Sequence, residues 1–107
     1  MPSLDDTIRA HALVRVASIF DVPIESLRPD LKWGEDLVAG SVSNWRYKEL
    51  DRIAQDIRDV ADESIDSELN SGRLVISTLG DYCDHMVRCH LTRPHAVEAV
   101  LGMDERG

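Results

Sequence analysis

Two groups of residues in this chain could do chemistry: serines at a junction between loop and helix, and a crowd of cysteines and histidines further along. Ser41 and Ser43 follow Gly40 and precede an amphipathic stretch. A serine hydroxyl becomes a useful nucleophile only beside an activating base. No nucleophile-elbow spacing, glycine-rich phosphate loop or paired-carboxylate pattern accompanies either serine. Taken alone, a short polar residue in that position is a helix cap, accepting a bond from an otherwise unpaired backbone N–H.

Cys83, His85, Cys89, His90 and His95 are all residue types that ligate zinc. Their spacing argues against a site. On one helix Cys83 and His90 fall on the apolar face while His85 and Cys89 fall on another, so the ligands do not converge. The same geometry keeps the two cysteines from a disulfide, and both read as reduced thiols of a cytoplasmic protein. The expectation is no metal, and no catalysis by this chain alone.

The elements that would position these residues are helical. The 107 residues leave room for one domain with a modest core. Phe20, Trp33, Trp45, Tyr47 and Tyr82 are the aromatic residues, so aliphatic side chains must fill most of that core. A formal charge of −8 repels phosphate backbones and anionic lipid, which excludes nucleic acid as the expected ligand and favours partners carrying Lys and Arg patches. Met1 to Asp6 lack the basic start and apolar run of a signal peptide, and no stretch approaches the length that spans a bilayer, so neither export nor insertion is expected.

Leu4, Ile8, Ala12, Leu13, Val16, Ile19 and Phe20 recur at helical spacing and predict a first helix over Ser3–Phe20, with Asp5 and Asp6 at its positive end. Pro23 and Pro29 deny a long helix to the next stretch, an ordered loop whose Val22, Ile24 and Leu27 are expected to dock on the core. The loop continues through Gly40, with Trp33 and Leu37 as anchors. A second helix is predicted over Ser43–Ala61, from Trp45, Tyr47, Leu50, Ile53, Ala54, Ile57, Val60 and Ala61. Its charges, Asp56 among them, read as solvated pairs. A short third helix is expected over Ser64–Asn70, stopped by Gly72. Thr78 and Asp81 form a capping-box-like start for a helix to about Leu91, whose core face holds Leu79, Tyr82, Cys83, Met86, Val87, His90 and Leu91. Pro94 opens a last short helix ended by Gly102.

Set side by side, these segments resemble the acyl carrier and peptidyl carrier (phosphopantetheine-binding) family over roughly Ile8 to His90. Three pieces carry the resemblance in the family's order. Phe20-Asp21-Val22-Pro23-Ile24-Glu25-Ser26-Leu27-Arg28-Pro29-Asp30 looks like the segment after its first helix. Trp33-Gly34-Glu35-Asp36-Leu37 looks like its aromatic, acid, Asp-Leu run, and Ile76-Ser77-Thr78-Leu79-Gly80-Asp81-Tyr82 looks like the Thr-Val-Gly-Asp that opens its fourth helix.

The resemblance implies an all-α fold, a four-helix bundle with a long loop between helices one and two and a short extra C-terminal helix. On this view residues 1–92 are the carrier-like domain and 93–107 an extension. It also implies 4'-phosphopantetheine attached covalently to a serine. The family's spacing from Asp36-Leu37 falls on Ser41, with Gly40 where Asp or His is common and Val42 where Leu is usual. The apolar register of helix two favours Ser43 instead. A helix N-terminus offers free N–H groups and partial positive charge that suit a phosphodiester. Asp36, Leu37, Val42 and Glu49 would meet partners, namely a phosphopantetheinyl transferase and acyl-transferring or acyl-activating enzymes of fatty-acid, polyketide or related biosynthesis. The chain would be a monomeric carrier of acyl or aminoacyl thioesters and not an enzyme. The alternative is a carrier-shaped interaction module whose serine stays unmodified.

Overall fold

The computed structural model describes residues 3–33 and 45–103, and these residues are all-α. The helices are α1 (Leu4–Phe20), α2 (Trp45–Val60), α3 (Glu63–Ser71), α4 (Leu79–His90) and α5 (Pro94–Leu101), with a 3₁₀ turn at Ile24–Ser26. Among the described residues the one element of sheet-like pairing is an isolated antiparallel bridge between Lys32 and Thr78.

Helix boundaries follow local chemistry. Ser3 and Asp6 form a capping box at the start of α1, and Thr78 and Asp81 form another at the start of α4. In each, side chains satisfy backbone donors that the first helical turn leaves free. Asp62 caps α3 by accepting from the Ile65 N–H at 2.8 Å. Pro94 stands at the start of α5, where its missing N–H costs nothing. Gly72 and Gly102 end α3 and α5 in the left-handed region, at φ 81° and 71°, where a glycine has no Cβ to strain. Ser43, a cap candidate at the expected start of α2, lies outside the described residues.

The core is one continuous cluster. Ile8, Ala12, Val16 and Phe20 of α1 meet Ile53, Ile57 and Val60 of α2, Leu79, Tyr82, Met86 and Cys89 of α4, and Val97 and Leu101 of α5. Each side chain of this size withdrawn from water contributes roughly 1.5–3 kcal/mol before the entropy of ordering is subtracted. The closest packing runs between α1 and α4, and α5 lies against α4, α2 and α1.

Several expected positions differ. On α4 the buried face holds His85 and Cys89, while Val87 and His90 are only half-buried and Leu91 is 80% exposed. The helix ends at His90, so Leu91 belongs to the turn toward α5 and not to the helical stripe. Leu4 and Ala54 are exposed, since the stripes of α1 and α2 are narrower than their apolar periodicity suggests. Ile24 also faces outward, at the head of the 3₁₀ turn, whereas Val22 and Leu27 pack on the core as expected.

The loop after α1 is stitched to the start of α4. Leu79 N–H donates to the Leu31 carbonyl at 2.9 Å, Gly80 N–H to the Pro29 carbonyl at 2.8 Å, and Trp33 N–H to the Ser77 carbonyl at 3.1 Å. Gly80 is required for this approach, because a Cβ there would sit 3.1 Å from the Pro29 oxygen and 3.2 Å from its Cβ. The ring of Trp33 stacks on Phe20, centroids 6.1 Å apart, and meets the edge of Tyr82 at 6.0 Å. Aromatic pairs at such distances add to simple area burial.

Candidate functional site

Ser41 and Ser43, with Asp36, Leu37 and Val42, lie outside the described residues. In the sequence that segment is bracketed by two described parts of the fold, which form a frame with two edges. Trp33 closes one edge, fixed by the backbone bond to Ser77 and by the aromatic contacts to α1 and α4. The other edge is the first part of α2, where Glu49 is half-buried. The indole Nε1 of Trp33 and the Oε1 of Glu49 are both buried without a hydrogen-bond partner among the described residues. A donor and an acceptor removed from water in this way each carry a desolvation cost.

Behind the frame, α1, α2 and α4 are joined by a buried polar network that the charge pattern of α2 did not reveal. Asp56 is 3% exposed. It accepts from Arg15 Nε and Nη2, both at 2.9 Å, and from the Tyr82 hydroxyl at 2.8 Å. The expectation of solvated pairs along α2 fails at this residue. A carboxylate excluded from water survives only when its lone pairs are filled, and here a two-pronged guanidinium and a phenol fill them. Hydrogen bonding to Asp56 raises the Arg15 guanidinium further above its ordinary value. Burial, followed by the charge of Asp56, drives the Tyr82 phenol far above the ordinary tyrosine range, so Tyr82 is a donor at every pH the fold meets.

A second set of contacts secures the C-terminal end of α2. His85 Nε2 lies 2.8 Å from the Ile57 carbonyl, which fixes that nitrogen as the donor. Arg93 Nη1 donates to the carbonyls of Asp59 and Ala61 at 2.9 and 3.0 Å, and Thr92 donates to Asp62 at 2.8 Å. The last carbonyls of a helix have no partners within it, and here residues of α4 and of the α4–α5 turn supply them. The bond from the Ile65 N–H, then that from Thr92, holds the Asp62 carboxyl below the usual carboxylate range.

The thiols lie inside this packing. Burial pushes Cys83 and Cys89 up to about 11, so both stay protonated and inert. His90 pairs instead with Glu98 at 3.1 Å, and His95 is almost wholly exposed. Among the described residues no group of three His, Cys, Asp or Glu side chains could hold a metal ion, and no helix is long and apolar enough to cross a membrane.

No family model, no curated protein and no solved structure matches this chain. Of the residues nominated by sequence, Glu49 alone is described, and the polar network of Arg15, Asp56 and Tyr82 was missed. One signal could have found it: Asp56 sits beside Ile57 and one turn after Ile53, on the apolar side of α2.

Proposed function

We propose that the chain is an acyl carrier protein, holding acyl or aminoacyl groups as thioesters on 4'-phosphopantetheine attached to Ser41. The observation that supports this reading is the order and length of the helices. A long helix, a long loop fastened to the start of α4, a second long helix, a short third helix and a fourth follow one another as in the family the sequence resembles. In sequence, Ser41 and Ser43 belong to the segment immediately ahead of α2, after the anchored Trp33.

On this reading the chain does no bond-making chemistry of its own. A transferase directs the serine hydroxyl onto the β-phosphorus of coenzyme A. The oxygen–phosphorus bond of the new phosphodiester forms, the pyrophosphate bridge breaks, and 3',5'-adenosine bisphosphate leaves. The arm's thiol then carries the acyl group to partner enzymes, for which the carrier supplies position and recognition.

Intact mass after incubation with coenzyme A and a broad-specificity phosphopantetheinyl transferase tests the proposal. The parent protein gains one phosphopantetheine group, Ser41→Ala gains none, and Ser43→Ala still gains one. The reverse pattern moves attachment to Ser43. Absence of any gain with several different transferases overturns the carrier reading and leaves the unmodified interaction module in its place.

A further inference from the structure

The carbonyl of Ile57 has lost its helical partner. In a continuing α2 it would accept from the Ala61 N–H, but that group donates to Arg58 instead. His85, on α4, takes its place from inside the core. The Cys89 sulfur lies beside the ring, 3.5 Å from Nε2 and 3.8 Å from Nδ1, and as a weak acceptor it is a poor partner for a second N–H on Nδ1. A charge on this ring would be withdrawn from water with the Ile57 carbonyl as its one strong acceptor, so burial favours the neutral imidazole.

Outside that position a crevice of about 160 Å³ opens, lined by Leu74, Val75, Ile76, Asp81, Asp84, His85 and Arg88. Its roof is the connection between α3 and α4, where Val75 is 67% exposed. Asp81 lies one turn before His85 on α4. Its Oδ2 accepts from Ser77 and Thr78, and its Oδ1 takes none of these bonds. The imidazole thus has a dry inner position whose burial penalises its cation and, across the crevice, a carboxylate that suits it.

We propose that His85 is a two-position latch on the seam between α2 and α4: neutral, it caps α2 through Ile57; protonated, it moves into the crevice against Asp81 and frees that carbonyl. The charged groups around it decide the balance. On α4 these are Asp81, Asp84 and Arg88, with the protonated thiol of Cys89. From α1, Arg9 binds Asp84 at 2.7 Å, and from α3, Glu68 binds Arg88 through two bonds of 2.9 and 2.7 Å. From α2, Asp56 is occupied by Arg15 and Tyr82, so the carbonyl end of the helix is what faces the ring. From the connection, Arg73 is exposed. Neighbouring pairs neutralise Asp84 and Arg88, and Asp81 is left as the acceptor.

Burial lowers the His85 value below the ordinary histidine range; the bond to Ile57 opposes this, and Arg88 reinforces it. A depressed folded-state value means that the inner position is fully favoured above the unfolded value of about 6.5 and is lost as pH falls through the folded one.

Imidazole NMR and amide hydrogen exchange on the full chain test the latch, with His85→Gln as the control, since glutamine keeps an N–H for Ile57 and does not titrate. As pH falls through the range in which His85 takes up its proton, the rate ratio of wild type to H85Q for the hydrogen-bonded amides of Leu74, Ser77 and Ala61 should rise about tenfold per pH unit. Amides of Ile8 to Val16 should keep a constant ratio, and the His85 Nε2–H signal should vanish in step with the crevice amides. The proposal is overturned if the α1 amides rise together with the crevice, which makes the event global unfolding. Protonation that leaves the Nε2–H bond to Ile57 intact also overturns it. The wild-type titration decides between these outcomes even if H85Q fails to fold.

Discussion

Arg15 and Asp56 face each other across the interface of α1 and α2, with guanidinium Nε and Nη2 each 2.9 Å from a different carboxylate oxygen. The carboxylate is buried, the guanidinium half-buried, and the pair is completed by the hydroxyl of Tyr82 from α4. One carboxylate thereby fixes the relative placement of three helices, and any sliding of α2 along its neighbours breaks several bonds at once. Such pairs are better at specifying one arrangement than at adding net stability.

Removing a single partner should therefore be expensive. Asp56→Ala leaves Arg15 and the Tyr82 hydroxyl without their acceptor and is expected to cost about 3–5 kcal/mol in chemical denaturation. Tyr82→Phe removes one bond to a charged group and is expected to cost about 1.5–3 kcal/mol. An Asp56→Ala protein as stable as the parent would show that the carboxylate is not the joint between the helices.

Gly80 offers a test in which helix propensity and packing oppose each other. Glycine to alanine inside a helix normally gains about 1 kcal/mol. Here the new Cβ meets the Pro29 carbonyl and ring, which the Gly80 N–H bond and the proline's own rigidity hold in place. Gly80→Ala is expected to lower the denaturation midpoint with an unchanged slope. A higher midpoint would mean that the loop yields and is not the fastening described above.

Arg93 reaches from the α4–α5 turn to two carbonyls at the end of α2. Arg93→Ala is expected to cost about 1 kcal/mol and to speed amide exchange at the α2–α3 junction while leaving α1 protected. Exchange that quickens only within α5 would place the loss elsewhere.

The buried thiols set an alkaline limit. Both cysteines are raised to about 11 in the folded state, above the free-thiol value of about 8.5. The unfolded chain gives up these protons first, so their contribution is complete below about pH 8.5 and is lost as pH rises toward 11. Stability measured from pH 8 to 10 should fall, and Cys83→Ala with Cys89→Ala should flatten that decline. Alkylation at pH 8 should be slow in the native protein and fast in denaturant, and equal rates would contradict the burial of both sulfurs.

Local chemistry was legible in the residues themselves. The Ser3 and Thr78 helix starts, Pro94 at the head of α5, and Gly72 and Gly102 at helix ends all follow from the bonding and backbone preferences of one or two side chains, so sequence alone determined them. The apolar stripes of α1 and α2 were likewise enough to name Ile8, Ala12, Val16, Ile53, Ile57 and Val60 as core. What tertiary structure decided were matters settled by partners distant in sequence. Asp56 looks like any charge on a surface helix until Arg15 and Tyr82 arrive from two other helices to solvate it. His85 and Cys89 are buried, and Leu91 is not, because α4 is covered by α1, α2 and α5 and stops at His90. Periodicity reports which residues share a face, but which neighbours cover that face and where the chain turns away depend on the packing of the whole chain.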